Sequence, residues 1–377
     1  MKIVIFAAEA SGDVLAADLI KEIKKKLPDC EIEGITGPRM LYAGCKSLAS
    51  IDELSVMGVV EVVKKLPSIL KLRKRLLAIL LKNLPDLFIG VDAPDFNLGI
   101  AKKLKQLGVP TVQYVSPTVW AWRKGRMKLI KQATNMVLSI LPFEEEFYKK
   151  YQHPCKFVGH PMADKIPLRV NKIKAKERLS LDTNKTYIAL LPGSRQQEFK
   201  FLLKPFLETA ALLAKQSDNI GFLLPLANQK LQVELDKHKA LLQTLPIQIF
   251  DNSASQVLQA ADLALITSGT ATLEAMLCKT PMVVAYKMSF INHQIAKMLV
   301  KTKYFSLPNL LANSRLVEEL LQQKVTAENL SSSLMALMQS PARQNNLQKK
   351  FTDLHKILKQ HASKKAAGVV CNILKKT

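Results

Sequence analysis

The sequence predicts two consecutive α/β halves, each a doubly wound parallel sheet, that face one another across a cleft. Three observations lead there. Short continuous apolar runs alternate with helical stretches along most of the chain, the pattern of strands covered on both faces. Near residues 160–185 the alternation stops at a polar, basic interval with Pro161, Pro167 and the run Asn171-Lys172-Ile173-Lys174-Ala175-Lys176, and then restarts. The length, 377 residues, exceeds what one ordinary core holds.

Taken in order, residues 2–7 form the first apolar run, followed after a turn by a helical stretch over 14–27. Residues 87–91, 111–115 and 136–140 repeat the strand type, with a helix over 97–107 between the first two. Beyond the interval come strands at 187–191, 221–224, 247–250, 263–267 and 281–286, and helices at 198–215, near 229–243 and at 270–278. The remainder, from about residue 291, reads as mostly helical. The expected division is 1–168, 169–345 and a C-terminal helical part, 346–377. In such sheets ligands sit beyond the carboxyl ends of the strands, and two facing halves suit an enzyme with two substrates.

Composition is ordinary for a globular protein, 48% hydrophobic and 23% charged. The charge is not. Fifty-five Lys and Arg stand against 31 Asp and Glu, a formal +24, which points to an anionic partner such as nucleic acid, anionic lipid or a phosphorylated substrate. Charge alone does not choose among these, since whole proteomes can be basic. The five cysteines are odd in number and scattered, without C-x-x-C or zinc spacing, and read as free thiols of a reducing compartment. The N-terminus enters a strand at once and lacks a signal-peptide core. No apolar run reaches the ~18 residues of a membrane span. The expectation is a cytoplasmic protein able to bind a membrane surface.

The residues that can carry chemistry follow strands. Glu9-Ala10-Ser11-Gly12-Asp13 lies directly after the first strand. Glu9, Ser11 and Asp13 either line an acceptor site, or Ser11 or Asp13 caps the helix. There is no G-x-G-x-x-G fingerprint, and two carboxylates disfavour direct phosphate binding. Asp92 and Asp95, three apart around Pro94, are candidates for a general base that takes a proton from an attacking hydroxyl. Asp95 or Asn97 serves equally as a helix cap. Asp92 is the stronger base candidate, since a carboxylate ending an apolar strand is costly without a partner or substrate. Trp120 and Trp122, the chain's two tryptophans, either stack on a sugar or pack in a core. Arg123, Lys124, Arg126 and Lys128 follow.

In the second half, Gly193 allows a sharp turn, Ser194 adds a hydroxyl and Arg195 a fork of donors that fits a diphosphate. Ser268, Gly269 and Thr270 end a strand and open a helix, an anion-binding arrangement. Glu274 lies one turn further on, placed for ribose hydroxyls. Asn309 sits in an apolar run before a helix and on its own reads as structural. His160, in Gly159-His160-Pro161, reads as a packed hinge residue. No H-E-x-x-H, P-loop, D-x-D or Ser/His/Asp pattern stands out, so no metal and no cofactor are expected.

From Pro67 an amphipathic helix is expected, with Ile69, Leu72, Leu76 and Leu80 on one face and Leu70 and Leu77 beside them. Lys64, Lys65, Lys71, Arg73, Lys74 and Arg75 surround it. The stripe as a whole fits a core helix. The crowding of Val59, Val60, Val62, Val63 and Leu66 fits a membrane-facing segment. Val60, Val62, Val63, Leu66, Ile69 and Leu70 are the membrane-facing candidates.

Eight segments in order, 9–13, 57–62, 91–97, 116–122, 157–161, 191–195, 268–274 and 306–311, closely resemble the lipid-A-disaccharide synthase family. The resemblance runs from residue 1 to about 320. One departure is Ala8, where the family's turn usually begins with Gly. The resemblance implies two Rossmann-like domains in the GT-B arrangement, with C-terminal helices crossing back. It implies an inverting, metal-independent condensation of UDP-2,3-diacylglucosamine with 2,3-diacylglucosamine 1-phosphate, giving a β(1→6) tetraacyl disaccharide 1-phosphate and UDP for lipid A and lipopolysaccharide. It also implies peripheral binding to the anionic inner membrane of a Gram-negative bacterium, and it allows a homodimer by exchange of the C-terminal region. By position Asp92 becomes the base, Arg195 the diphosphate ligand and Glu274 the ribose carboxylate, with Asn309 near the donor.

One alternative is another GT-B UDP-sugar transferase or a UDP-sugar 2-epimerase of envelope synthesis. These would share the second-half turns but lack the tryptophan motif and the 56–82 stretch. A nucleic-acid-binding protein would need aromatics interleaved with basic residues on an exposed face. Only residues 120–128 come near that, and no nucleic acid is expected as partner.

Overall fold

A computed structural model describes residues 1–54, 59–120, 124–289, 293–294 and 302–375, with the side chains of 59–65 and 124 outside that description. The chain divides into two compact units. One is Met1–Asp164 together with Leu358–Thr377; the other is Lys165–Ile357.

The first unit is built on a seven-stranded parallel sheet. Its strands are β1 (Lys2–Ala7), β2 (Glu31–Thr36), β3 (Lys46–Ser50), β4 (Leu87–Val91), β5 (Thr111–Tyr114), β6 (Met136–Ser139) and β7 (Cys155–Phe157), in the order β3-β2-β1-β4-β5-β6-β7. The strand order reverses between β1 and β4, where Ala7 lies opposite Val91. Apart from Lys2, both strands are apolar because both faces are covered; Phe6 and Phe88 meet edge to face at 5.2 Å across them. The helix Ala362–Leu374 packs against the helix Ala10–Lys26. It buries Ala366, Ala367 and Val370 in this core, and the small side chains allow close approach.

The second unit carries six parallel strands, β8 (Thr186–Leu191), β9 (Ile220–Leu226), β10 (Ile247–Asp251), β11 (Leu263–Thr267), β12 (Met282–Tyr286) and β13 (Glu318–Leu321), in the order β10-β9-β8-β11-β12-β13. Here the order reverses between β8 and β11, with Leu191 opposite Ile266. Each unit is thus a doubly wound sheet with one switch point, the place where such sheets bind ligands.

The structure adds strands β2, β3, β7 and β13 to those read from the sequence, and differs from that reading elsewhere too. The basic run after Pro167 is a helix, Lys172–Arg178, with Asn171 accepting a hydrogen bond from Lys174 N at 3.1 Å. Its lysines are fastened within the second unit: Lys172 donates to Ala261 O (2.8 Å) and Lys176 pairs with Asp262 (2.9 Å). The expected helix near 229–243 is two short ones, Gln232–Asp236 and Lys239–Gln243. Residue 346 falls inside a continuous helix, Pro341–Leu358, and the chain re-enters the first unit at Leu358.

The two stretches of the first unit are stitched together. His160 N donates to Leu358 O at 2.8 Å. The Asp164 carboxylate accepts from His361 N (2.9 Å) and Ala362 N (2.6 Å), capping the last helix. Gly159 sits at φ +95°, and a Cβ there would meet Gln360 Cβ at 2.4 Å. His160 is buried and its imidazole is lowered to about 4 by that burial, as fits a packed residue.

Candidate functional site

In the first unit, the turns after β1 and β4 leave the sheet at neighbouring strands. Asp92 directly follows β4 with φ +53°, and Ala93 after it has φ +38°, a left-handed pair that non-glycine residues adopt only under constraint. The constraint is visible. Asn97 Nδ2 and Gln113 Nε2 both donate to Asp92 O, at 2.9 and 3.0 Å, and Asp92 N donates to Tyr114 O at 2.9 Å. Gly90 makes room, since a Cβ there would meet Asn97 Cβ at 2.8 Å and Gln113 Oε1 at 3.0 Å. The backbone of Asp92 is gripped from both sides while its half-buried carboxylate has no hydrogen-bond or ion-pair partner among the described residues.

Neither Asp95 nor Asn97 caps the helix Pro94–Gln106, whose N-cap is Ala93. Asp95 is exposed and paired with Arg126. Glu9 is the N-cap of the helix Ala10–Lys26 but makes no side-chain cap bond; Glu9 and Ser11 are exposed. Asp13 is corrected from a ligand-facing group or cap to a backbone clamp. Its carboxylate accepts from Gly37 N (3.1 Å), Arg39 N (3.0 Å) and Met40 N (2.9 Å), holding the turn after β2. A Cβ on Gly37 would meet that carboxylate at 2.5 Å.

Trp120 is half-buried, with its indole N–H donating to Glu144 Oε1 at 3.0 Å and its ring edge-on to Phe143 at 4.8 Å. Trp122 lies outside the described residues. So do the side chains of Val60, Val62 and Val63, although a helix runs over Val59–Lys82 with Pro67 inside it. On that helix Leu72, Leu76 and Leu80 are core residues and Ile69 packs partly against the same core. Ile69 thus divides its surface between that core and the outside. Leu66 (47% exposed) and Leu70 (44%) face outward.

In the second unit the two anticipated turns leave β8 and β11, the strands that flank the switch point. Gly193 is at φ +129°, where a Cβ would meet Glu198 Cβ at 2.8 Å. Ser194 and Arg195 are exposed, and Arg195 is the N-cap residue of the long helix Gln196–Ala214. The Arg195 guanidinium touches Glu198 at 3.2 Å with its side chain 84% exposed. Such a pair is weak and exchanges readily for a stronger anion. Gly269, at φ +155°, has open space where a side chain would stand, and Thr270 opens the helix Thr270–Leu277. Helix starts of this kind carry free backbone N–H groups, the type of donor that binds anions. Glu274 is half-buried; burial raises its carboxyl above the ordinary value and a hydrogen bond from Ser255 draws it back.

Asn309 is corrected from nucleotide binding. It is fully buried: its Nδ2 donates to Val317 O and Glu319 Oε1, at 2.9 and 2.8 Å, and its Oδ1 accepts from Leu316 N and Val317 N, at 2.8 and 2.9 Å. Its hydrogen-bonding capacity is filled by the chain itself. What it supports adjoins the site, since Ser268 Oγ donates to Phe305 O (2.8 Å) and Leu307 N donates to Thr272 Oγ1 (3.2 Å).

Sequence reading missed several groups at this edge. Asn228 Oδ1, Ser253 Oγ and Thr267 Oγ1 are buried without a hydrogen-bond partner, at the exits of β9, β10 and β11. Buried polar atoms without a partner are rare, and these three stand at the carboxyl ends of strands, the side on which doubly wound sheets bind ligands. Each follows or ends an apolar run, which was the available signal. Tyr286, ending β12, is raised by burial and feels both Glu198 and Arg195. Among the described residues no group of three or more His, Cys, Asp or Glu is placed to hold a metal ion.

A family model described as "Lipid-A-disaccharide synthetase" matches residues 3–372. A lipid-A-disaccharide synthase of Pasteurella multocida (strain Pm70) is 48% identical over 377 residues, covering 99% of this chain and 96% of the relative. One from Haemophilus influenzae (strain PittEE) is 47% identical over 380 residues, covering 100% and 97%. Among solved structures, a UDP-GlcNAc 2-epimerase from Neisseria meningitidis bound to UDP-GlcNAc aligns over 100% of both chains with TM-score 0.67 and 13% identity. A kitacinnamycin glycotransferase aligns over 98% of both, with TM-score 0.65 and 14% identity. The last two likenesses concern the fold alone.

Proposed function

The chain belongs to the lipid-A-disaccharide synthase family and is a glycosyltransferase that forms the lipid A disaccharide; from that premise we propose that its first unit presents the acceptor to Asp92 and its second unit holds the UDP of the donor. The substrates are UDP-2,3-diacylglucosamine and 2,3-diacylglucosamine 1-phosphate. The acceptor's 6-hydroxyl attacks C1 of the donor, its proton passes to the Asp92 carboxylate, and the C1–O bond to UDP breaks with its electron pair on the leaving diphosphate. A single displacement inverts C1 and yields the β(1→6) linkage.

The observation that carries this reading is the strained, doubly clamped Asp92 at the switch point, with its carboxylate unpaired among the described residues. Strain of this kind persists where the surroundings impose it for a task. On the donor side, Arg195 and the helix starts at Gln196 and Thr270 meet charge that grows on the departing diphosphate, which favours the transition state over the ground state. Glu274 takes ribose hydroxyls. Ser194, Ser268, Asn228, Ser253 and Thr267 supply neutral polar contacts to the nucleotide. Glu9 and Ser11 border the acceptor. The chemistry assigned to these residues calls for no metal.

The test is turnover of the two lipid substrates, scored as UDP and disaccharide 1-phosphate, with the new anomeric centre read by NMR. Asp92→Asn keeps the shape of the residue and removes the base, so kcat falls by about 10²–10⁴-fold, the usual contribution of a general base. Donor binding stays unchanged. A near-normal kcat in Asp92→Asn sinks the assignment, and a chelator-sensitive rate sinks metal independence.

A further inference from the structure

Glu144 sits on the first unit at the N-terminal end of the helix Pro142–Lys150 and is 2% exposed. Its Oε2 accepts from Leu141 N at 3.2 Å and its Oε1 from the Trp120 indole at 3.0 Å. On the same helix, Tyr148 OH meets Ser116 Oγ at 3.0 Å. Burial pushes the Glu144 carboxyl up to about 8, and hydrogen bonds, not cations, oppose that rise. A buried carboxyl without a cationic partner is an expensive way to cap a helix. An exposed Glu or a Gln at that position satisfies Leu141 N equally well.

What the carboxyl holds is the segment that leaves β5 beside Asp92. Tyr114 O accepts from Asp92 N, and Gln113 Nε2, which clamps Asp92 O, also donates to Val115 O at 3.3 Å. Val115 is left-handed, at φ +71°. From there the segment is fixed by Ser116 and Trp120 to the Glu144 helix, and by Arg126 to Asp95, three residues from Asp92. Glu144 thus holds Trp120, and Asp95 holds Arg126.

We propose that Glu144 is a positioning residue for the transfer: through Trp120 it fixes the segment bordering Asp92, so that the acceptor's hydroxyl lies against the Asp92 carboxylate. The proposal rests on the reading of Asp92 as the base on the acceptor side. Trp120 keeps its place in the acceptor region with a changed duty, since its N–H is directed to Glu144 and only its ring remains for a ligand.

The test uses the full-length enzyme with both lipid substrates. Trp120→Phe keeps the ring and its contact with Phe143 and deletes only the N–H. We expect its acceptor KM to rise about tenfold, the loss of one hydrogen bond to a carboxyl, with donor KM unchanged. Glu144→Gln disturbs the same network, because its amide N–H₂ either faces Leu141 N–H or displaces the indole. Its acceptor KM rises similarly, and the double variant is no worse than the worse single one, as members of one network behave. An unchanged acceptor KM in Trp120→Phe overturns the proposal. So does a parallel rise in donor KM, or a lowered melting temperature with intact kinetics, which marks a purely structural anchor. Asp92→Asn, run alongside, separates the two readings: it lowers kcat by about 10²–10⁴-fold if Asp92 is the base, whatever the Glu144 and Trp120 variants do.

Discussion

A carboxyl that burial holds at about 8 makes stability depend on pH in a definite direction. The folded protein binds the Glu144 proton more tightly than the unfolded chain, whose carboxyl titrates near 4.5. The stabilisation is complete below 4.5 and is lost as pH rises through about 8. Tyr148 and Cys155, which face Glu144, are themselves displaced upward, Cys155 to about 12, and do not titrate in that window. Melting curves of the wild type should therefore shift down between pH 5 and pH 8 relative to Glu144→Gln, which lacks the titrating proton. Parallel curves for the two proteins would remove Glu144 from the account. The same scale shows what polar residues conceal in a sequence. Asp13 and Asn309 look like ligand groups because they stand at strand exits or in an apolar run. Both turn out to satisfy backbone N–H groups of their own chain. A sequence displays which groups are polar, not which atoms they face, and buried backbone needs partners as much as a ligand does.

At the scale of elements, the turns after β4, β8 and β11 were legible because an apolar run ending in Gly, Ser, Thr or Asp has few other meanings in a parallel sheet. The edge strand β13, Glu-Glu-Leu-Leu, was not legible, since an edge strand needs no continuous apolar run. Helix Val59–Lys82 was half legible. Its stripe faces the core through Leu72, Leu76 and Leu80, while Leu66, Leu70 and Leu81, which share another side of the helix, remain exposed among basic residues. We propose that this outer face rests on an anionic bilayer, the arrangement of an interfacial helix. Among the described residues no helix is long and apolar enough to cross a membrane. Replacing Leu66 and Leu70 together by Glu should strongly reduce co-sedimentation with vesicles containing anionic lipid and leave binding of free UDP as it was. Undiminished sedimentation of the double variant would locate the membrane contact elsewhere.

For the whole molecule, the alternation of strands and helices announced two sheets, and the restart after residue 185 announced where the second begins. The return of the chain was less visible. Leu347 and Phe351 are buried and belong to the same helix that ends at Leu358, so nothing in its periodicity marks the point of crossing. Only the small residues Ala362, Ala366 and Ala367 hint at a helix that packs tightly. Deleting residues 358–377 should expose the face of the helix Ala10–Lys26 and unfold the first unit, leaving the second able to bind UDP. Calorimetry showing both transitions intact in the truncated protein would contradict this.

Because the first unit needs the last twenty or so residues to close its core, it cannot mature in the order in which it is synthesised. Its first 164 residues must wait about 10–40 s at ordinary translation rates while the second unit is made. The second unit, continuous from Lys165 to Ile357, is free to condense while still tethered to the ribosome. Nascent chains stalled before Leu358 should accordingly carry a protease-sensitive amino-terminal half, a period in which the apolar partners of the final helix are open to chaperones.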